Sequence, residues 1–162
     1  MGRQLSRRLK LCFLDSDNAV EERLGCAIRE YFEREGEDRF RDVEQHVIDE
    51  LTQRNGCVIS TGGGVVLRRE NRCHLLGRCK TVYLHATPDE IFRRLRHDQI
   101  RPLLQVPNPL DKLKQLYDQR DSLYREVAHF VVQTDRPSIK TLIDLIVVQL
   151  ELAGALEYGS KA

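Results

Sequence analysis

Short apolar runs that alternate with helical patterns limit the folds open to this chain. Two of these runs, residues 11–14 and 57–60, are only four residues long. Such short runs between segments of helical spacing are typical of buried parallel strands. Strands and helices alternate along the whole chain, which predicts a three-layer α/β/α fold with a mostly parallel sheet.

Helix starts are marked by capping residues at two places. Thr87 and Glu90 form a capping box with a proline between them, and Ser138 precedes a series of apolar residues with helical spacing. The whole pattern predicts helices at residues 2–10, 18–25, 27–35, 38–55, 70–76, 87–98, 110–127 and from 139 onward, strands at 11–14, 57–60, 80–84 and 130–133, and a proline-bearing loop at 99–109. The predicted buried face of the last helix comprises Ile139, Leu142, Ile143, Ile146, Val147 and Leu150.

The composition predicts one folded domain over residues 1–162. Of the 162 residues, 41% are hydrophobic and 31% are charged, as in ordinary globular domains. A net charge of +1 gives no electrostatic basis for binding nucleic acid or a membrane surface, so we expect neither as a partner. The five cysteines have no C-x-x-C pair and no metal-ligand spacing, which predicts reduced thiols in a cytosolic protein.

The corners after the first two strands are the best candidates for a ligand site. Asp15 and Asp17 follow the first strand, and Gly62, Gly63 and Gly64 follow the second. Ligands of open α/β sheets bind beyond the carboxyl ends of the strands. Strand alternation would point both carboxylates at one site. Two carboxylates there could bind a metal ion or a polyol, or one could act as a general base. The alternative is an aspartate that only caps the next helix. The glycines would let backbone N–H groups meet an oxyanion or a hydroxyl, unless they form only a flexible turn.

Arg41 and Glu44 lie three residues apart on the predicted helix 38–55 and can pair. Glu44 falls among the apolar residues of that helix, where a buried carboxylate needs a partner. A guanidinium held by such a carboxylate is a rigid fork for a substrate carboxylate. The alternative is a surface ion pair that contributes little.

Other arginines and the histidines give weaker indications. Arg101 lies in the proline-bearing loop and Arg120 in the helix 110–127, and arginines above a sheet often bind phosphate, although solvated arginines are commoner. Arg93, Arg94 and Arg96 are expected to form a solvated helix face. The five histidines have no metal-ligand spacing, so we interpret them as structural or surface residues.

Taken together and in this order, the motifs resemble the shikimate kinase family of P-loop kinases over about residues 2–152. The resemblance implies ATP-dependent phosphorylation of the 3-hydroxyl of shikimate, in aromatic amino-acid biosynthesis, by a cytoplasmic monomer that uses ATP and Mg²⁺. Five motifs carry it: Leu14-Asp15-Ser16-Asp17, Phe32-Glu33-Arg34-Glu35-Gly36-Glu37 with Phe40-Arg41, Thr61-Gly62-Gly63-Gly64, Arg101-Pro102-Leu103-Leu104, and Arg120-x-x-Leu123-Tyr124.

For the acceptor side, the resemblance implies a shikimate site within the helical segment 18–55 and its neighbours. Asp17 would bind two shikimate hydroxyls and help to deprotonate the attacking one. Arg41 and Arg120 would bind the carboxylate, with Glu44 holding Arg41. Gly62, Gly63 and Gly64 would line the site.

For the donor side, the resemblance implies a lid over residues 98–110. Arg101 on this lid would reach the ATP phosphates and serve as a catalytic residue. Arg136 and Pro137 would lie against the adenine, and Asp15 would sit near Mg²⁺, through a water molecule. A closing lid would also keep water from the phosphoryl group.

The chain departs from the family pattern in one respect. The family carries a strand and a phosphate-binding loop G-x-x-x-x-G-K-[ST] before the helix that matches residues 2–5, and no such loop occurs in this sequence. One interpretation is a shikimate kinase whose recorded start is too late or truncated. Alternatives are a non-catalytic ligand-binding module of the same fold and a folding-deficient fragment. For the chain as given we expect shikimate binding with little or no ATP turnover.

Overall fold

The computed structural model describes residues 1–95, 107–135 and 138–156. Contacts between Cα atoms divide the chain into two compact units, Met1–Thr81 and Val82–Ala162. Each unit contains one pair of parallel strands, and each is described by itself. The prediction of a single domain over residues 1–162 stays a prediction.

In the first unit, the carboxyl ends of two parallel strands lie side by side. Cys12 pairs with Cys57 at the start of these strands, and Asp15 pairs with Ser60 at their end. Both predicted ligand corners therefore begin at the same edge of the strand pair. The elements are α1 Gly2–Leu9, β1 Cys12–Asp15, α2 Ser16–Leu24, α3 Ile28–Glu35, α4 Glu37–Thr52, β2 Cys57–Ser60, a 3₁₀ turn Val65–Leu67 and α5 Arg69–Arg78.

The core of the first unit is built around α4. Val47 and Leu51 are buried one helical turn apart and pack with Phe40 and with Val20 of α2. Glycines end the two preceding helices, since Gly25 (φ 68°) and Gly36 (φ 84°) have the positive φ angles that other residues avoid. The packing fixes the face of α4 on which Arg41 and Glu44 lie.

The second unit contains the other parallel strand pair. Its elements are β3 Val82–His85, α6 Pro88–Leu95, α7 Pro109–Val127, β4 Phe130–Gln133 and α8 Ile139–Leu152. Val82 pairs with Phe130 and His85 with Gln133. The predicted capping box is present, because the Thr87 N–H donates to Glu90 Oε2 at 3.1 Å and the Glu90 N–H to Thr87 Oγ1 at 3.4 Å.

Most of the predicted buried face of α8 is correct, and one residue is not. Five of its six members are buried, but Ile139 is 50% exposed. Ile139 is the first residue of the helix, where Ser138 accepts the Thr141 N–H at 3.2 Å. A residue in the first turn lies at the end of the packed face, so periodicity alone overestimates its burial. The buried members are Leu142, Ile143, Ile146, Val147 and Leu150.

Two cysteines overturn the prediction of five reduced thiols. Cys12 and Cys57 pair across β1 and β2 with Cα atoms 4.5 Å apart, and their sulfur atoms form a disulfide. They are 45 residues apart in sequence, so only the strand register brings them together. Cys26, Cys73 and Cys79 are free, as predicted.

The α/β class with parallel strands is confirmed, and strand 57–60 has the predicted bounds. Arg93 and Arg94 are exposed, as predicted for a solvated helix face, and Arg94 also donates to the hydroxyl and the carbonyl oxygen of Thr134, whereas Arg96 lies outside the described residues. His85 fits a structural role, since it is buried with its ring nitrogens 2.6 Å from Gln133 Oε1 and 2.9 Å from the Tyr117 hydroxyl. No helix in the described residues has the length and apolar character needed to span a bilayer.

Candidate functional site

Asp15 caps the helix that follows β1. Its Oδ1 accepts the N–H groups of Asp17 at 3.1 Å and Asn18 at 3.4 Å. The helix therefore begins directly after the strand, and Asp17 lies in its first turn. The alternation argument for a shared direction was wrong here, because it assumes that the strand continues through Asp17. The two residues are nevertheless neighbours, because the Asp15 side chain accepts the Asp17 N–H.

Asp17 lies against the first glycine of the segment after β2. A Cβ atom on Gly62 would be 2.8 Å from Asp17 Oδ1, which is closer than real Cβ contacts. Ser16 joins the two, since its hydroxyl accepts the Gly62 N–H at 3.4 Å and donates to Asp17 Oδ1 at 3.4 Å. Glycine at position 62 is therefore needed for close approach of the backbone to the carboxylate.

The pKa of the Asp17 carboxyl is raised above its usual range. Desolvation by the surrounding protein is the largest cause, although the side chain keeps contact with solvent, and the negative charge of Asp15 adds to it. The hydrogen bond from Ser16 and the positive charge of Arg41 act in the opposite direction. Asp17 thus holds a proton more readily than an ordinary aspartate.

Arg41 is the second charged group at the glycine segment. Its side chain is 11% exposed and that of Glu44 is 5% exposed, and Nη1 donates to Glu44 Oε2 at 2.7 Å. The predicted pair is therefore a largely buried one rather than a surface ion pair. A charge-assisted hydrogen bond in such surroundings holds the guanidinium in a defined place.

Gly64 lies against the Arg41 guanidinium. A Cβ atom on Gly64 would overlap both terminal nitrogens of Arg41 and would lie 2.6 Å from Cζ. Gly62 and Gly64 thus face a carboxylate and a guanidinium, two residues apart along one stretch of bare backbone. Gly63 lies between them and is exposed.

Two residues of α5 that the sequence analysis missed hold the end of the glycine segment. Asn71 is fully buried and its Nδ2 donates to the Val65 carbonyl at 3.0 Å. Arg72 Nη1 donates to the Val66 carbonyl at 2.9 Å. An asparagine inside a helix is unfavourable by propensity, and this was the available indication that its side chain bonds elsewhere.

The remaining predicted site residues lie outside the first unit. Arg120 is a residue of α7, and its buried Nε atom has no hydrogen-bond partner among the described residues. An unsatisfied buried donor is costly, and a ligand carboxylate would satisfy it. Arg101, Arg136 and Pro137 lie outside the described residues.

A metal ion would find few protein ligands here. No three His, Cys, Asp or Glu side chains form a ligand cluster within residues 1–95, 107–135 and 138–156. Mg²⁺ commonly takes only one or two carboxylates and completes its shell with water and substrate phosphates. Asp15 fits that mode, because both hydrogen bonds that it accepts from the described part of the chain go to Oδ1 and leave Oδ2 for another partner.

Comparison with known proteins agrees with this geometry. A family profile described as "Shikimate kinase" matches residues 1–151. The shikimate kinase of Paracidovorax citrulli is 55% identical over 157 residues, covering 95% of this chain and 86% of that protein. The shikimate kinase of Ralstonia nicotianae is 51% identical over 154 residues, covering 95% and 81%.

Solved structures give the same assignment. Shikimate kinase from Acinetobacter baumannii in complex with shikimate is similar with a TM-score of 0.86 and 42% identity, covering 96% of this chain and 87% of that one. The enzyme from Aquifex aeolicus has a TM-score of 0.80 and 33% identity, covering 94% and 89%. By sequence and by structure, the chain belongs to the shikimate kinase family of phosphotransferases, with its P-loop kinase-like α/β fold.

Proposed function

We propose that this chain binds shikimate at the glycine segment and that ATP is the donor that phosphorylates its 3-hydroxyl. The observation that carries the proposal is the meeting of Asp17 and Arg41 at Gly62 and Gly64. A carboxylate suits the hydroxyl groups of a small polyol, and a guanidinium suits its carboxylate. The relative from Acinetobacter baumannii was solved in complex with shikimate, which supports the same ligand here.

In this proposal, the carboxylate of shikimate binds to Arg41. Glu44 holds Arg41 through the 2.7 Å hydrogen bond, so little side-chain entropy is lost when the ligand binds. Gly62, Gly63 and Gly64 line the site, because a side chain at 62 or 64 would take the place of the charged groups.

Asp17 would accept the proton of the attacking hydroxyl. Its raised pKa supports this role, because a general base works best when its pKa approaches the working pH. Phosphoryl transfer otherwise depends on aligning donor and acceptor and on neutralising charge. Asp17 at Gly62 and Arg41 at Gly64 would align the acceptor from two ends of the glycine segment.

The donor side rests on the family assignment. Mg²⁺, held near Asp15, would neutralise charge on the ATP phosphates. We propose Arg101 as the catalytic arginine of a lid at 98–110, and Arg136 and Pro137 as the residues beside the adenine. Family membership also supports a cytoplasmic monomer, and light scattering coupled to gel filtration tests the oligomeric state.

Calorimetric titration with shikimate tests the acceptor site. Arg41→Ala should weaken binding about 10- to 100-fold, the loss expected for a charge-assisted hydrogen bond. Arg39→Ala is the matched control, because Arg39 lies on the same helix but its side chain is 72% exposed and pairs with Glu35. Equal affinities of the two variants would contradict the assignment.

An ADP-release assay separates the kinase from the alternative of a non-catalytic module. Shikimate-dependent ADP release that is lost in Asp17→Asn would support the phosphotransferase function. Tight shikimate binding without any ADP release would favour the module.

A further inference from the structure

Glu37, a residue that the acceptor-site assignment does not use, is a second partner of Arg41. Arg41 Nε donates to Glu37 Oε1 at 3.3 Å, and Nη2 donates to the same oxygen at 3.1 Å. Glu44 binds the other terminal nitrogen, Nη1. The guanidinium is therefore held from two sides by two carboxylates.

These contacts decide which N–H groups of Arg41 are left for a ligand. A guanidinium has five N–H groups. Three of them donate to Glu37 and Glu44, which leaves one on each terminal nitrogen. Gly64 lies against these same two nitrogens, and the Phe40 ring centroid is 5.0 Å from Cζ. The guanidinium is thus enclosed on several sides.

We propose that Glu37 is a positioning residue that orients Arg41 for the carboxylate of the acceptor, an inference that rests on the proposed function. Glu44 alone binds a single nitrogen, about which the guanidinium plane can still rotate. The bonds from Glu37 to Nε and Nη2 stop this rotation. Glu37 itself is 55% exposed and has no contact with the acceptor in this role.

Glu37 also stands at the start of α4, where any acidic residue favours the helix. Asp38 is the control for that effect, because it is an exposed acid in the same first turn and its side chain makes no ion pair within residues 1–95, 107–135 and 138–156. A purely helical role would make Glu37→Ala and Asp38→Ala equivalent. A positioning role affects only Glu37→Ala.

The experiment is a calorimetric titration of the full chain with shikimate and with its uncharged methyl ester. Glu37→Ala should weaken shikimate binding about fivefold and methyl ester binding less than twofold, because only binding of the carboxylate depends on the orientation of the Arg41 guanidinium. Asp38→Ala should leave both affinities unchanged. Glu37→Gln should bind shikimate within about twofold of the parent, since both bonds go to one oxygen and the amide oxygen can replace it.

Three results would overturn the inference. Glu37→Ala could lower the affinities for shikimate and for the methyl ester equally, or it could have the same affinities as Asp38→Ala. It could also bind shikimate more tightly than the parent, in which case Glu37 acts only by charge repulsion. Failure of the proposed function looks different, since the parent chain would then not bind shikimate, and the inference would fall with it. Circular dichroism melts of all variants ensure that folded proteins are compared.

Discussion

Gly64→Ala tests the position of Arg41 at the proposed acceptor site without changing any charged residue. The backbone at Gly64 has φ −82° and ψ −12°, a conformation that alanine adopts without strain. The added methyl group would nevertheless overlap the Arg41 guanidinium, which is 11% exposed and bonded to Glu44 and Glu37. The guanidinium must therefore move, and the change acts through its position alone.

The expected loss follows from the contact that is displaced. A hydrogen bond to a charged group contributes about 1.5–3 kcal/mol, so shikimate affinity should fall roughly 10- to 150-fold. Stability should change less, because replacing glycine where the backbone conformation suits alanine stabilises by about 0.4–1 kcal/mol through the unfolded state. That gain partly offsets the disturbed ion pair.

Gly77→Ala is the matched control. A Cβ atom on Gly77 would have no atom within 4 Å, and the residue lies within α5. This variant should be more stable by about 0.5–1 kcal/mol and should bind shikimate unchanged. Calorimetric titration measures the affinities and chemical denaturation the stabilities. A Gly64→Ala variant that binds shikimate as tightly as Gly77→Ala would refute the reasoning.

Three further predictions concern other parts of the first unit. The folded state raises the pKa of the Asp17 carboxyl, so the free energy of unfolding falls as the pH rises from the ordinary aspartate pKa through the raised one. Asp17→Asn should therefore have a higher melting temperature at pH 7 and a lower affinity for shikimate. An unchanged melting temperature would contradict the desolvation of this carboxyl. Asn71→Ala removes the hydrogen bond to the Val65 carbonyl and should lower the free energy of unfolding in denaturant by about 1–3 kcal/mol. It should also weaken shikimate binding. A loss of stability with unchanged binding would show that the 3₁₀ turn at Val65 does not position the glycines. Thiol titration in denaturant should count three cysteines before reduction and five after it, and five before reduction would exclude the disulfide.

Local chemistry predicted much of the fold. The capping box at Thr87 and Glu90 and the helix start at Ser138 lie where the sequence pattern placed them, because caps depend on residues a few positions apart. Ile139 and the Cys12–Cys57 disulfide did not follow from the pattern. Burial at a helix end and pairing across parallel strands depend on neighbours that are distant in sequence.

The candidate site was predictable in its residues more than in its geometry. The argument that pointed Asp15 and Asp17 in one direction was wrong, since the helix begins at Ser16. The two residues stay close for another reason, because a capping aspartate must lie beside the first helical turn. Glu37 was named in a motif but given no role, and Asn71 was missed, because their side chains act on other site residues.

Glu44 is the residue whose position is hardest to explain by stability. It is buried on the same helix as Phe40, Val47 and Leu51, where an apolar side chain of similar size would pack without desolvating a charge. Buried ion pairs are often no more stable than the apolar residues that could replace them. Glu44 instead holds the Arg41 guanidinium at Gly64. Because Arg41 is already held, it loses little side-chain entropy when a ligand binds. A site that recognises a carboxylate explains this arrangement, and a need for a stable core does not.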